Sequence, residues 1–336
     1  MQALVEKFGT PLAPDPGVDQ GDPFLVEVPP ATDGPARYLV FVSGPGLPVY
    51  GSDNLIQWRK LGASLRSDSD AWTWAPSVTH LPGLDRPWVM LYSRALGTGE
   101  VDGHREHRIR RADSVGPGGP YVDSGEVLTA DLDFAIDPDV RLRPDGTAVL
   151  TFATDYVDEE PYGTGLAEAP LDAELRRITG PVIQVARARA DWQVYEPARF
   201  MPWKAIAGVH WDAGDTVRWL TMEGPVALLS PAGVPTLLYS GGNFAGFYGI
   251  GILRREGGTW VDTSRTPADC LLAPDPEHGV YGPGHCSVLD TDGDQLLCFH
   301  FRTSPDAPRQ FGILPLRWDV DDRPYCPVDS VDSADT

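Results

Sequence analysis

Three carboxylates in this chain stand directly before a proline turn: Asp22 in "GDPF", Asp137 in "AIDPD" and Glu223 in "MEGP". A single acidic residue beside a turn is ordinarily solvated, and Asp before Pro commonly bonds its own backbone. Three in one recurring setting ask for a further explanation. Brought together out of water, like charges raise one another's proton affinity, and such a cost points to function. The chemistry that uses it is attack on a glycosidic bond: a protonated carboxyl delivers a proton to the leaving oxygen, and an ionised one activates water or attacks the anomeric carbon. An acidic pocket also stabilises the positive charge that develops on the sugar. Aromatic side chains would stack on sugar faces, and Trp72, Trp74 and Phe244 are the candidates.

These residues need a frame that makes them converge, and the chain supplies signals for one. Its apolar segments are short, rich in Val, Leu, Tyr, Phe and Trp, and interrupted by turn residues, with 36 Gly and 33 Pro in all. "ARYLVFVSG", "WVMLYSRA", "TAVLTFATD", "PTLLYSGG" and "QLLCFHF" are five strands of one type, starting near residues 36, 88, 147, 235 and 295. Strand, turn, strand and loop recur around each, which predicts an all-β five-bladed β-propeller in a single domain. A β-sandwich explains the strands but not the recurring unit. Residues 1–19 read as an N-terminal extension, 20–322 as the propeller and 323–336 as an acidic, disordered tail. "PLDAELRRI" is the best helical candidate, with about two turns. In a propeller the first strand of each blade lines the central channel. The openings "QGDPFLVEV", "WTWAPSVTHL", "FAIDPDVRL", "TMEGPVALL" and "GPGHCSVLD" would therefore meet on one axis.

In this order, with "WAP" in the second opening and "GPGH" in the fifth, the five openings resemble glycoside hydrolase family 43 over about residues 20 to 320. The resemblance implies an inverting glycosidase acting on arabinofuranosyl or xylosyl linkages. It implies that Asp22 is the general base, Glu223 the general acid, and Asp137 a third carboxylate that holds the acid and raises its pKa. It implies that His285 lies at the channel floor, contacting substrate with Trp74 and Phe244 and holding a hydrated cation, commonly calcium. The related retaining fructosidases carry Arg-Asp-Pro and Glu-Cys, where this chain has Ile136-Asp137-Pro138 and Glu223-Gly224-Pro225.

Other features compete. Glu196-Pro197 is a second carboxylate-proline pair and the rival to Glu223 as the acid. The Trp-rich stretch 192–221 reads as a lid or subsite using Trp203, Trp211 or Trp219, or as an extra buried hairpin. Asp139, two residues past Asp137, is expected to face away from the site. "GHREHRI" has His104 and His107 interleaved with Arg105 and Arg108, which repel cations, so a loop-to-strand junction fits better than a metal site. A propeller that binds a glycan or a small biosynthetic metabolite without hydrolysis is the alternative function.

Composition bounds the partners. The 336 residues carry a net charge of −21 with a pI near 4.5. That charge repels phosphate backbones and anionic headgroups, so a neutral carbohydrate, and neither nucleic acid nor membrane, is the expected partner. No secretory signal and no membrane span are legible, which favours a cytoplasmic protein. Cys270, Cys286, Cys298 and Cys326 lack zinc spacing and read as free thiols, although Cys286 and Cys298 flank one turn.

Overall fold

The five apolar runs become the second strands of five antiparallel meanders. In the computed structural model, which describes residues 15, 17–30, 32–66, 73–95, 107–143, 145–201, 214–291 and 293–327, the first meander is β1 (Phe24–Glu27), β2 (Tyr38–Phe41), β3 (Pro48–Ser52) and β4 (Arg59–Ala63). The second comprises β5 (Leu65–Arg66), β6 (Thr73–His80), β7 (Trp88–Ala95), β8 (His107–Ser114) and β9 (Tyr121–Val127), with β5 parallel to β9. The third is β10 (Ile136–Leu142), β11 (Ala148–Tyr156), β12 (Gly163–Leu171) and β13 (Ile183–Arg187), followed by β14 (Val194–Phe200). The fourth is β15 (Thr216–Leu229), β16 (Pro235–Gly242), β17 (Tyr248–Glu256) and β18 (Thr259–Asp262). The fifth is β19 (Tyr281–Thr291), β20 (Asp294–Arg302), β21 (Gln310–Trp318) and β22 (Pro324–Tyr325).

The long strand β15 serves two partners. Its first half pairs with β14 and touches β12 in parallel, and its second half pairs with β16, so the third and fourth meanders form one nine-stranded sheet. The Trp-rich stretch thus contains the extra hairpin β14–β15. Trp72, Trp203, Trp211, His104, nearly all of residues 1–19 and residues 328–336 lie outside the described residues.

The second strands read as unbroken apolar runs because both of their faces are buried. Leu39 and Phe41 of β2 pack with Val78, Trp88 and Met90 of the second meander, while Tyr38 and Val40 pack with Cys298, Phe311 and Ile313 of the fifth. Val89 and Leu91 of β7 face Leu150 and Phe152, and Leu237 and Tyr239 of β16 face Ile136 and Leu166. Leu238 of the same strand turns the other way, toward Leu297 and Phe299. Each such side chain taken out of water contributes about 1.5–3 kcal/mol. The first strands follow suit: β1 lies beside β6, β6 beside β10, β10 beside β15, β15 beside β19, and β19 beside β1. Side chains of the fifth meander pack on the first, and no hydrogen-bonded strand pair joins the two among the described residues.

One local device recurs at the head of the first strands. Register shifts fall between Trp74 and Ser77, Ile136 and Asp139, Glu223 and Val226, and Gly284 and Ser287. Each bulge holds a residue with positive φ: Ala75 (45°), Asp137 (59°), Gly224 (53°) and His285 (43°), and Asp22 (55°) stands likewise just ahead of β1. Four of these five residues precede Pro, which has no N–H to lose and is tolerated at a bulge. Left-handed Ala and His are strained and persist only when their surroundings hold them.

The surroundings do so through the freed backbone N–H groups. Asp22 N–H donates to His300 Nδ1 at 3.1 Å, Ala75 N–H to Ser43 Oγ at 2.8 Å, and Asp137 N–H to Ser93 Oγ at 3.0 Å. Gly224 N–H donates to Asp137 Oδ2 at 3.0 Å, and His285 N–H to Ser240 Oγ at 2.6 Å. Every acceptor belongs to a neighbouring meander.

The helical expectation for "PLDAELRRI" is overturned. The segment ends β12 and turns: Asp172 O accepts from Leu175 N–H at 3.1 Å and Asp172 Oδ1 from Arg176 N–H at 2.7 Å, with Leu175 left-handed and buried. The Asp side chain satisfies the turn locally, and the burial of Leu175 outweighs helix propensity. Strand β22 lies past residue 322, in the segment read as tail, and pairs Tyr325 with Arg317. The four cysteines are free. No helix among the described residues is long and apolar enough to cross a membrane.

If the bulge N–H groups hold the strand heads, Ser93→Ala leaves a buried donor unpaired and lowers unfolding free energy by about 1–3 kcal/mol in urea denaturation. A variant as stable as the parent would show that the bulges hold themselves.

Candidate active site

A cavity of about 350 Å³ opens where the strand heads meet. It is lined by Asp22, Asp137 and Glu223 together with Trp74, Phe244 and His285. Glu196 does not line it. Position 196 pairs with Trp219 in the β14–β15 ladder, whereas the bulge at Glu223 turns that carboxylate inward. Asp139 also stays outside the cavity and accepts Ala227 N–H at 2.9 Å, with burial pushing its carboxyl up to about 6.

The three carboxylates live in different electrostatic settings. Burial alone would raise Asp22, but Arg309 Nη1 lies 3.0 Å from its Oδ1, and this guanidinium with the neighbouring imidazoles holds Asp22 well below the usual carboxylate range. Ser43 Oγ donates to Asp22 Oδ2 at 2.5 Å. Arg309 is itself fixed by Asp19, whose carboxylate takes bonds from Nη2 at 2.6 Å and Nε at 3.0 Å. Glu223 goes the other way: burial pushes it up to about 7, against a 2.6 Å bond donated by Tyr248 Oη and with the charge of Asp22 adding to the rise. Asp137 is raised well above the ordinary range by burial and then by Glu223 and Asp22. The resemblance implies an ionised Asp137 that lifts its neighbour; here the two carboxyls are both lifted and hold protons more tightly than free ones. Asp137 also fixes the strand that carries Glu223, since it accepts Gly224 N–H. A Cβ at position 224 would lie 3.2 Å from the His285 ring, in a left-handed conformation, so Gly alone fits there easily.

His285 Nδ1 lies 3.4 Å from Asp22 Oδ1 and 3.9 Å from Asp137 Oδ2, and burial lowers its pKa. His300 accepts the Asp22 N–H on Nδ1, which places its ring proton on Nε2, and burial lowers it to about 4. Among the described residues no three His, Cys, Asp or Glu side chains converge to hold a metal ion. Calcium takes six to eight oxygen ligands, and these donors do not fit a calcium held by protein; a cation on His285 would keep water for its other ligands.

The walls are aromatic. Trp74 stacks on His107 with centroids 3.7 Å apart. Phe244 sits between Arg302 and Arg309, whose guanidinium carbons are 5.8 and 5.7 Å from its ring centre. Tyr195, Arg199, Trp219, Asp155 and Thr164 complete the rim, with Arg199 over the Trp219 ring at 4.5 Å. Sequence reasoning missed Arg309, Tyr248, Ser43 and His300. None has a local pattern that distinguishes it, because each acts on a residue at least 21 positions away in the chain.

Comparison with known proteins now decides the family. The profile described as Glycosyl hydrolases family 43 matches residues 20–324. The chain belongs to glycosyl hydrolase family 43. Membership makes it a glycoside hydrolase, with carbohydrate as its substrate. Among solved structures it resembles a thermostable family-43 glycoside hydrolase (24% identity, 95% of this chain and 96% of the other, TM-score 0.72). It also resembles an endo-1,4-β-xylanase from Bacteroides thetaiotaomicron (22%, 93% and 95%, 0.68) and an α-L-arabinofuranosidase from Lactobacillus brevis (17%, 95% and 96%, 0.70). These identities speak to the fold. No curated protein matches.

The raised Glu223 has a consequence for stability. Its carboxyl binds a proton more tightly folded than unfolded, so stability is full at low pH and falls as pH rises through about 7. Glu223→Gln keeps an acceptor for Tyr248 and removes that loss. It is expected to gain about 1–2 kcal/mol over the parent at pH 8 and little at pH 5 by chemical denaturation. Equal gains at both pH values would contradict the raised pKa.

Proposed function

We propose that this family-43 hydrolase cleaves arabinofuranosyl or xylosyl linkages in short oligosaccharides with inversion, and that its five meanders are the blades of a propeller. The observation that carries the reading is the split between two carboxylates facing one cavity: Asp22 held ionised by Arg309, Glu223 held protonated by burial. Two titratable groups pushed apart in this way are matched to base and acid. Glu223 gives its proton to the glycosidic oxygen as the bond to the anomeric carbon breaks and its electron pair passes to that oxygen. Water attacks the same carbon from the opposite face, and Asp22 takes the proton that the water gives up. Asp137 holds the Glu223–Gly224 bulge and shares the lifted proton affinity. Trp74 and Phe244 offer faces for the sugar.

The cavity volume lies near the lower end of ligand pockets, which favours short substrates. The closed circuit of first-strand contacts and the side-chain closure of the fifth meander on the first support the propeller. The sugar preference draws on neighbours described as an arabinofuranosidase and a xylanase.

Purified protein is expected to hydrolyse an aryl α-L-arabinofuranoside or an aryl β-xyloside. Glu223→Ala and Asp22→Ala should each cost a factor on the order of 10² or more, with Glu196→Ala near parent activity. Survival of turnover in Glu223→Ala would move the acid elsewhere. No hydrolysis by the parent of any sugar tried would favour a propeller that binds glycan without cleaving it. The first-formed anomer, read by proton NMR, tests inversion.

The pH profile follows from the same pair. The active form has Asp22 ionised and Glu223 protonated, so kcat/KM should fall as pH rises through about 7 and on the acid side only below the ordinary carboxylate range. An alkaline limb above pH 9 would refute Glu223 as the titrating acid.

A further inference from the structure

Tyr248 opens β17 and is 1% exposed, and its hydroxyl donates to Glu223 Oε1 at 2.6 Å. The ring cannot swing. On one side it lies parallel to His300, with centroids 5.6 Å apart and planes 2° from coincidence. Elsewhere the β19 backbone presses against it at Gly284, where a Cβ would fall 2.1 Å from Tyr248 Cε1. His300 in turn accepts the Asp22 N–H. A single packed column therefore runs from the acid through Tyr248 and His300 to the backbone of the base.

We propose that Tyr248 is a positioning residue that occupies Oε1 of Glu223 and so assigns the catalytic proton to Oε2. This rests on the reading of Glu223 as the acid. A carboxyl has two oxygens, and a proton on the wrong one is of no use to the leaving group. With Oε1 engaged as an acceptor, the proton resides on Oε2. Proton transfer breaks the Oε2–H bond and forms the bond to the glycosidic oxygen while the anomeric C–O bond breaks. The resulting carboxylate then keeps the Tyr248 bond, which grows stronger as its acceptor becomes charged. The hydroxyl thus aids the proton's departure in the transition state, where a merely packed ring would not.

The same bond sets a measurable signature, since a donor to a carboxylate favours its ionised form. The other charged or titratable groups lining the cavity with Glu223 are Asp22, Asp137, Asp155, Tyr195, Arg199, His285 and Arg309. All of them are retained in the variants used. Tyr248→Phe keeps the ring, its stack on His300 and its fit against Gly284. It is expected to move the alkaline limb of kcat/KM up by about one pH unit. It should also lower kcat on a glycoside with a poor, alkyl or sugar, leaving group about tenfold more than on an activated nitrophenyl glycoside, which needs little acid assistance. Site-specific 3-fluorotyrosine at 248 makes the phenol a stronger donor, and its single fluorine can take the ε carbon other than Cε1, which faces Gly284. Its alkaline limb should move down.

Opposite shifts in the two variants support the assignment. Unmoved limbs in both, whatever the fall in kcat, would reduce Tyr248 to packing and overturn it. If Tyr248→Phe does not fold, the fluorotyrosine protein alone decides by the same criterion. Glu223→Ala measured on the poor-leaving-group substrate separates this inference from the one beneath it: parent-like turnover there would remove Glu223 as the acid, whereas lost turnover with unmoved Tyr248 limbs would refute only the inference about Tyr248.

Discussion

The architecture depends on what happens to five backbone N–H groups. At the first strand of each meander a residue turns left-handed, in four of the five at a step out of register, and its amide has no partner in the ladder. A buried N–H without an acceptor costs about as much as the bond it lacks. Each of these amides finds its acceptor on a neighbouring meander: Ser43, Ser93, Ser240, His300 or Asp137. The cost of local strain is thereby offset only when the meanders are correctly side by side. The bulge that aims a side chain into the cavity and the bond that holds two sheets together are one feature.

That coupling explains why residues that line the cavity also hold the meanders together. Asp137 is both a carboxyl in the cavity and the acceptor for Gly224 N–H. Ser43 takes the Ala75 amide and gives its own proton to Asp22. The separation of Asp22 from Glu223 in proton affinity follows from the same placement, since both are buried but only Asp22 has Arg309 within bonding distance of its carboxylate. Burial without a cation raises a carboxyl; burial with one lowers it.

Legibility in the sequence tracks how local each signal is. The second strands, such as Trp88–Ala95 and Pro235–Gly242, could be read because burial on both faces writes an unbroken apolar run. Asp22, Asp137 and Glu223 could be read because the proline that marks each bulge sits one or two residues away. The spacing of residues 170–178 suggests a helix, but the Asp172 side chain closes a turn there, a bond that apolar spacing does not encode. Arg309 and Tyr248 left no trace, being an ordinary Arg and Tyr whose partners are 287 and 25 positions away.

The sequence by itself determined the all-β character, the five apolar second strands, the family, and which carboxylates stand beside a proline turn. These rest on residue types and short-range order: β-branched and aromatic runs, proline at bulges, acidic residues in register with them. Only the tertiary structure decided how those carboxylates differ. Their proton affinities depend on distances of a few ångströms to groups brought in from other strands, and such distances are set by packing, which no spacing along the chain encodes.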